Sequence, residues 1–420
     1  MEFDEIAEDI ATSSASFTDI RRNGYIYVDK TDLIYQLACK RDCCVFTRPR
    51  CFGKTLLCST LVELFKHGVE PYDGHPSYFR GLAIHKLWDD KGKYHVFHIS
   101  HSFIDDHVFK DAKLFAKSQI EEIVTQAKEF SFEVPDKAED QDLGKILDSV
   151  FSQAKRNSLV FIVDEYDYPI TVGDAPKSNY NVIRSVYEGI KRHIDKFRFI
   201  FIAGVTHYDM NTFYDEYPAH DLSYDPTYAT LLGLTRDDIF KYFPDHLKYV
   251  ARKFFNRTGP VVTKSDMENA YAVLEKNYGG FAFTSDDSQR VLNPWNIFKH
   301  FNDPNPDLGK HHWLRPTGEI PPILKKIFTE LVDNYELREN LVIEVNKNKF
   351  TKVNSFERMD YRVLLAQTGY LTFHKLTDNI VYLRFPNYEM YWAFENFKNF
   401  LKGLRYTEAQ EYKPVGKKPL

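Results

Sequence analysis

The chain of 420 residues has room for two or three domains of ordinary size, and 43% hydrophobic against 27% charged residues are the proportions of a soluble globular protein. No segment approaches the run of about 18 apolar residues that a helical membrane span needs, so a membrane protein of that kind is not expected. A formal net charge of -5 argues against a chain whose main task is to coat nucleic acid, while permitting a local basic groove.

The opening "MEFDEIAEDIATSSASF" is acidic and lacks the basic start and apolar run of a secretory signal, so an intracellular, cytoplasmic location is expected. All five cysteines fall between Cys39 and Cys58, a poor disulfide framework that suits a reduced compartment. Cys39, Cys43 and Cys44 have no second pair at zinc-site spacing and read as small buried side chains.

Taken in order, the text first predicts a short strand at Tyr25 to Val28, with Asp29 capping a helix that carries Leu33, Ile34 and Leu37 on one face. "CCVFT" reads as a buried strand, and after a loop "KTLLCSTLVELFKHG" reads as a helix stopped by Gly68. A strand within 93–103 follows, then helices over 111–130 and 143–157. "SLVFIVDEYDYPI" is a near-continuous apolar strand ending in acids, of the kind buried inside a parallel sheet. A helix over 178–196 and a second apolar strand in "FRFIFIAGVTHYD" complete an α/β pattern with a mostly parallel sheet. The expected domains are a nucleotide-binding α/β domain over 1–233, a helical lid over 234–310, a mixed, winged-helix-like domain over 311–405 and a disordered tail over 406–420. The linker is placed at 302–312, a helix at 322–339, and a hairpin at "YLTFHKL" and "NIVYLRF".

Chemistry concentrates in "TRPRCFGKT". A phosphate loop of the Walker A type, G-x-x-x-x-G-K-[ST], cradles phosphates in backbone amides, neutralises them with Lys and ligates magnesium through the hydroxyl. Gly53, Lys54 and Thr55 fit, but Arg48 stands where the first glycine belongs. About 110 residues on, the strand "LVFIVDEYD" puts Asp164 and Glu165 at its carboxyl end, where open α/β sheets bind ligands. Such a Walker B acid orders Mg2+, and a neighbouring Glu activates water. Thr206 in "FIAGVTHYD" is expected at the same edge, either orienting water near the terminal phosphate or satisfying backbone groups at the strand end. Arg48 and Arg50, which flank Pro49, read as phosphate contacts, as contacts to a neighbouring subunit's nucleotide, or as surface guanidiniums.

These motifs, with "FTDIRRNGYIYVDKTDLI", "GVTHYD", "YATLLGLTRDDI", "NYGGFAF", "LNPWNIFKHF", "WLRPTG", "LLAQTGYLTF" and "YLRFPNYEM" in order, resemble the AAA-ATPase-like family over residues 16 to about 395. Its members often carry a restriction-endonuclease-like domain after the ATPase. The family favours "RPRRFGKS", so the resemblance implies that the missing first glycine is a family trait. It also implies phosphate-loop roles for Gly53, Lys54 and Thr55, an acidic strand end in Asp164 and Glu165, and a turn or catalytic role for Asp167 and Pro169. Tyr27 or Phe17 would pack on adenine or simply fill core. Cys51 replaces a common Arg, His207 stands where an Arg is frequent, and about thirty residues after "FPNYEM" are too few for the nuclease-like domain, whose activity is not carried over.

The resulting expectation is a P-loop NTPase with ATP and Mg2+ as ligands: Lys54 on the outer phosphates, Thr55 and Asp164 on magnesium, Glu165 on water and Thr206 as sensor. An unknown protein partner is expected, and assembly into an oligomer stays open. The alternatives are a non-hydrolysing nucleotide-binding scaffold and the ATPase component of a nucleic-acid-processing defence or effector system. The latter rests weakly on the lysines of 325–352, which a solvated charged face explains better.

Overall fold

The computed structural model describes residues 9–11, 14–138, 142–172, 175–207, 219–255, 261–284, 289–303, 342–351 and 359–401. Five strands, β1 (Cys43–Thr47), β2 (His95–Ser100), β3 (Leu159–Asp164), β4 (Phe197–Gly204) and β5 (His220–Asp221), form one sheet in the order β2-β3-β4-β1-β5. Every pairing is parallel. β1, β3 and β4 are buried along their whole length, which their unbroken apolar text requires of strands covered on both faces. The pleat divides them between two cores. Cys44, Phe46, Ile162, Phe199 and Phe201 face one cluster, and Cys43, Val45, Phe161, Val163, Ile200 and Ile202 face the other.

The N-terminal helices are α1 (Phe17–Arg22) and α2 (Thr31–Ala38), and α3 (Lys54–His67) follows the loop after β1. α3 ends at Gly68, whose φ of 72° an L side chain rarely adopts. α4 (Ala112–Glu129), α5 (Leu143–Phe151) and α6 (Asn179–Arg192) cover the second face. Residues 25–30 make no strand. Ile26 N–H bonds to the Asp9 carbonyl, but the segment forms no strand ladder among the described residues. Asp29 sits two residues ahead of Thr31, accepting from its N–H and hydroxyl at 3.0 and 2.6 Å.

Beyond the sheet, α7 (Arg236–Tyr242), α8 (Pro244–Phe254), α9 (Lys264–Tyr278) and α10 (Pro294–Phe301) enclose a third cluster built on Leu247, Val250, Leu274, Tyr278 and Ile297. α7 and α9 start with capping boxes, Thr235 with Asp238 and Thr263 with Asp266. The C-terminal module holds β6 (Ile343–Asn346), α11 (Tyr361–Gln367), β7 (Thr372–Leu376), β8 (Ile380–Arg384) and α12 (Tyr388–Leu401). Its antiparallel sheet runs β6-β8-β7, so the expected hairpin is present, with β6 beside it. Among the described residues this module builds no separate core: Leu364, Leu371, Phe373 and Met390 join the cluster that contains Phe46 and Phe52. The linker from 304, the helix at 322–339, "WLRPTG", the lysines of 325–341 and the tail lie outside the described residues.

Candidate functional site

Parallel register brings the separated motifs to one edge. Thr47 pairs with Gly204, Val163 with Ile202 and Ser100 with Asp164, so the loop after β1, the acids after β3 and the turn after β4 leave the sheet together.

Position 48 has no need of glycine. Arg48 N–H bonds to the Gly204 carbonyl at 3.1 Å and so prolongs the β1 ladder, and the loop turns later, at Cys51 (φ 64°) and Gly53 (φ 95°). Phe52 between them is buried edge-on to Phe281 and Phe283 at 5.0 and 5.5 Å, which pins the loop to the segment between α9 and α10. Gly53 supplies no side-chain cap to α3, which leaves the first-turn N–H groups for a ligand at the positive end of the helix dipole. Lys54 is buried, and its ammonium donates to the carbonyls of Arg48 and Pro49, both at 3.0 Å. Burial pulls its pKa down, against the charges of Glu165, Asp164 and Asp167.

Asp164 is fully buried, and neither carboxylate oxygen has a hydrogen-bond partner among the described residues. Burial pushes its pKa up, while the Thr55 hydroxyl, the Lys54 ammonium and the Glu165 amide oppose this; hydroxyl and amide face the carboxylate without closing a bond to it. A buried, unpartnered carboxylate is costly to keep. Glu165 takes the left-handed conformation at φ 56°, a strain on the order of 1 kcal/mol for a residue with a Cβ. Burial raises its pKa, with Lys54 and Arg50 opposing.

A crevice of about 30 Å³ is lined by Arg50, Glu165, Thr206 and, from the C-terminal module, Leu364 and Thr368. Thr206 does reach the edge. Its hydroxyl and N–H, however, donate to Asp167, which also accepts from Val205 N–H at 3.1 Å, so this side chain ties off the strand end in place of facing a phosphate. Gly204 leaves room for this turn, since a Cβ there would lie 2.5 Å from the Tyr166 ring.

Arg48 is not at the site. Its guanidinium is buried between the rings of Phe46 and Phe283, at 4.2 and 4.0 Å, and donates to the carbonyls of Thr47, Ser223 and Tyr228. Burial pulls its pKa down to about 9. Arg50 does reach the crevice, with its guanidinium 5.9 Å from the Tyr168 ring.

On the other side of Gly53 lies a larger cavity, about 130 Å³, walled by Tyr27, Val28, Phe52, Leu57, Leu232 and Phe298 among others. Lys30 on its rim is committed to the carbonyls of Thr230 and Gly233 and to Asp238, so the walls are mainly apolar. Phe17 packs on Tyr27 and Phe79 behind this wall. Two residues escaped the sequence reading. His101, at the end of β2, bonds through Nδ1 to the Glu165 carbonyl, and Gln367, on α11, accepts from the His207 N–H at 3.0 Å. Only the run of polar residues in "HISHSF" hinted at the first.

Among the described residues no three His, Cys, Asp or Glu side chains cluster as a metal site, and no helix is long and apolar enough to cross a membrane. The Asp164 and Thr55 pair instead fits a magnesium ion that takes one carboxylate, water and its ligand's phosphates. Of the three cysteines read as buried, Cys43 and Cys44 are buried, whereas Cys39 is exposed; Cys58 is buried as well.

Residues 12–213 match the model of the AAA-ATPase-like family, described as predicted AAA-ATPase. An uncharacterized protein in the vnfD 5' region of Azotobacter chroococcum mcd 1 is 29% identical over 238 residues, 55% of this chain and 44% of that protein. The chain thus spans less than half the length of this curated relative. The solved Aeropyrum pernix ORC2 protein, in its ADPNP-ADP complexes, aligns with 89% of this chain and 91% of its own at 12% identity and a TM-score of 0.34, a likeness too loose to inform the fold.

Proposed function

We propose, on the premise that residues 12–213 belong to the AAA-ATPase-like family, that the protein binds ATP with Mg2+ at the carboxyl edge of its sheet and hydrolyses it as a conformational switch. The observation that carries this is Asp164, buried with both oxygens unpartnered, facing Thr55 at the uncapped start of α3. A fold retains such a carboxylate only at a stability cost, and a cation is the partner that relieves it.

The first-turn amides of α3 and the Lys54 ammonium bind the phosphates. Lys54 exchanges its two carbonyl partners for phosphate oxygens, which keeps it hydrogen-bonded in both states. Thr55 and Asp164 hold the magnesium, whose charge offsets that of the phosphates. Glu165 orients a water and takes up its proton as the water oxygen bonds to the terminal phosphorus and the bridging P–O bond breaks. Arg50, beside Glu165 in the same crevice, supports the charge on the transferred group. Thr206 acts through the Asp167 turn. The apolar cavity beyond Gly53 takes the base.

A non-hydrolysing scaffold is the second reading, favoured by the roof that Leu364 and Thr368 put over the crevice. The nucleic-acid reading has no observation in its favour, since most of its lysine-bearing stretch lies outside the described residues.

The test is ATP binding and phosphate release, with and without magnesium, for the parent, Lys54→Ala and Glu165→Gln. Lys54→Ala is expected to lose at least about 10-fold in affinity. Glu165→Gln should keep ATP while its turnover falls by about 10²- to 10⁴-fold. Turnover unchanged in both variants would overturn these roles, and tight, Lys54-dependent binding without turnover in any sample would favour the scaffold.

A further inference from the structure

Glu165 needs something to hold its left-handed peptide, and the structure supplies it from a different strand. The Glu165 carbonyl accepts twice, from Tyr168 N–H at 3.0 Å and from His101 Nδ1 at 3.1 Å. The first bond is local to the turn. The second crosses from the short turn at His101–Phe103, directly after β2.

His101 is buried, its ring set edge-on to Phe109 and Phe115 at 6.2 and 5.7 Å. A carbonyl oxygen only accepts, so Nδ1 must carry the proton. Burial disfavours the charged ring, which leaves Nε2 bare and in need of a donor. The Gln119 side-chain amide oxygen on α4 stands 3.4 Å from Nε2, while its NH2 has no partner among the described residues. Turned with the NH2 towards the ring, Gln119 satisfies both groups and fixes the tautomer from the far side.

We propose that His101, held in its Nδ1–H form by Gln119, is a positioning residue that clamps the Glu165 peptide and so aims its carboxylate into the crevice shared with Arg50. The consequence for turnover rests on the ATPase reading above, whereas the clamp itself does not.

Two measurements test it. In protein with 15N-labelled histidine rings, the His101 shifts should report the Nδ1–H tautomer at neutral pH. In kinetics, His101→Phe should lower kcat at least about 10-fold with KM for ATP within about twofold, since positioning acts on the chemical step. His101→Asn, whose amide donor occupies the Nδ1 place, should recover most of that loss, and His101→Gln, which mimics Nε2, should not. An Nε2–H tautomer, parent-like kcat in His101→Phe, or equal recovery by Asn and Gln overturns the proposal. Should the parent show no turnover, the ATPase reading falls by itself. The tautomer, together with faster amide exchange over residues 165–168 in His101→Asn relative to the parent being absent and in His101→Gln being present, then decides the clamp. Should His101→Phe fail to fold, the Asn and Gln variants and the tautomer suffice.

Discussion

Arg48 and Asp164 show how differently two charged residues at the same edge of one sheet can be used. Arg48 is buried, yet each bond shown for its guanidinium is to a backbone carbonyl, and two aromatic faces cover its plane. Asp164 is buried with no hydrogen-bond partner on either oxygen among the described residues. Its carboxyl is raised above its unfolded value, so its favourable contribution to folding exists below the ordinary carboxylate range and is lost as pH rises through the raised value. At neutral pH the charge therefore opposes folding. Asp164→Asn should melt higher than the parent at pH 7, by about 1–3 kcal/mol of stability, and the gap should close as pH falls towards about 4. Melts across that range without such convergence would mean that the carboxylate is satisfied in the fold. The sequence showed that an acid ends β3, but not that it ends there unpartnered. Arg48 was illegible for a related reason: the ring of Phe283 that covers it is far along the chain, and nothing in "TRPRC" points there.

Elements with a long apolar period were legible, and those completed by a distant partner were not. β1, β3 and β4 are unbroken hydrophobic runs, and α3 is bounded by Gly53 and Gly68, so strand, loop and helix could all be read directly. β5 is two residues long and has no periodicity to find, while residues 25–28 have strand-like text and no ladder partner. Helix α11 depends on a local device instead. Asp360 caps it by accepting from Arg362 N–H, and its carboxylate also accepts from the Arg362 guanidinium at 2.7 and 2.9 Å and from Lys349 at 2.6 Å. Burial would raise this carboxyl, but those donors hold it down to about 2. A depressed carboxyl stabilises above its unfolded pKa, about 3.9, and loses that contribution as pH falls through the folded value. Asp360→Ala should therefore cost about 1–3 kcal/mol at pH 7 and much less near pH 2. Amide exchange across 361–367 is the direct measure, and exchange that does not quicken in the variant would show that α11 is held by its packing alone.

At the scale of the whole molecule, the C-terminal module shares a core with the sheet's loop-bearing face, so loop and module cannot be treated as separate bodies. The contact runs through backbone. Thr372 accepts from Ala282 N–H at 2.7 Å and donates to its carbonyl at 2.9 Å, Asn387 donates to the Gly279 carbonyl, and Gly280, at φ 77°, lies so near Pro386 that a Cβ would stand 2.2 Å from its oxygen. Residues 279–283 are the same segment whose Phe281 and Phe283 hold Phe52 and cover Arg48. A chain of packed contacts thus joins β7 to the loop that carries Gly53. Thr372→Val keeps the shape and removes the hydroxyl, stranding two buried backbone groups at a cost of about 2–4 kcal/mol. Its expected signature is twofold: faster amide exchange over 279–284, and a several-fold loss of ATP affinity at a site more than one contact away, because the loop's anchor has loosened. If exchange quickens while affinity stays at the parent value, Phe52 is held well enough by the sheet side alone, and any influence of the module on the site must pass through α11 instead, whose Leu364 and Thr368 line the crevice and whose Gln367 holds the His207 amide.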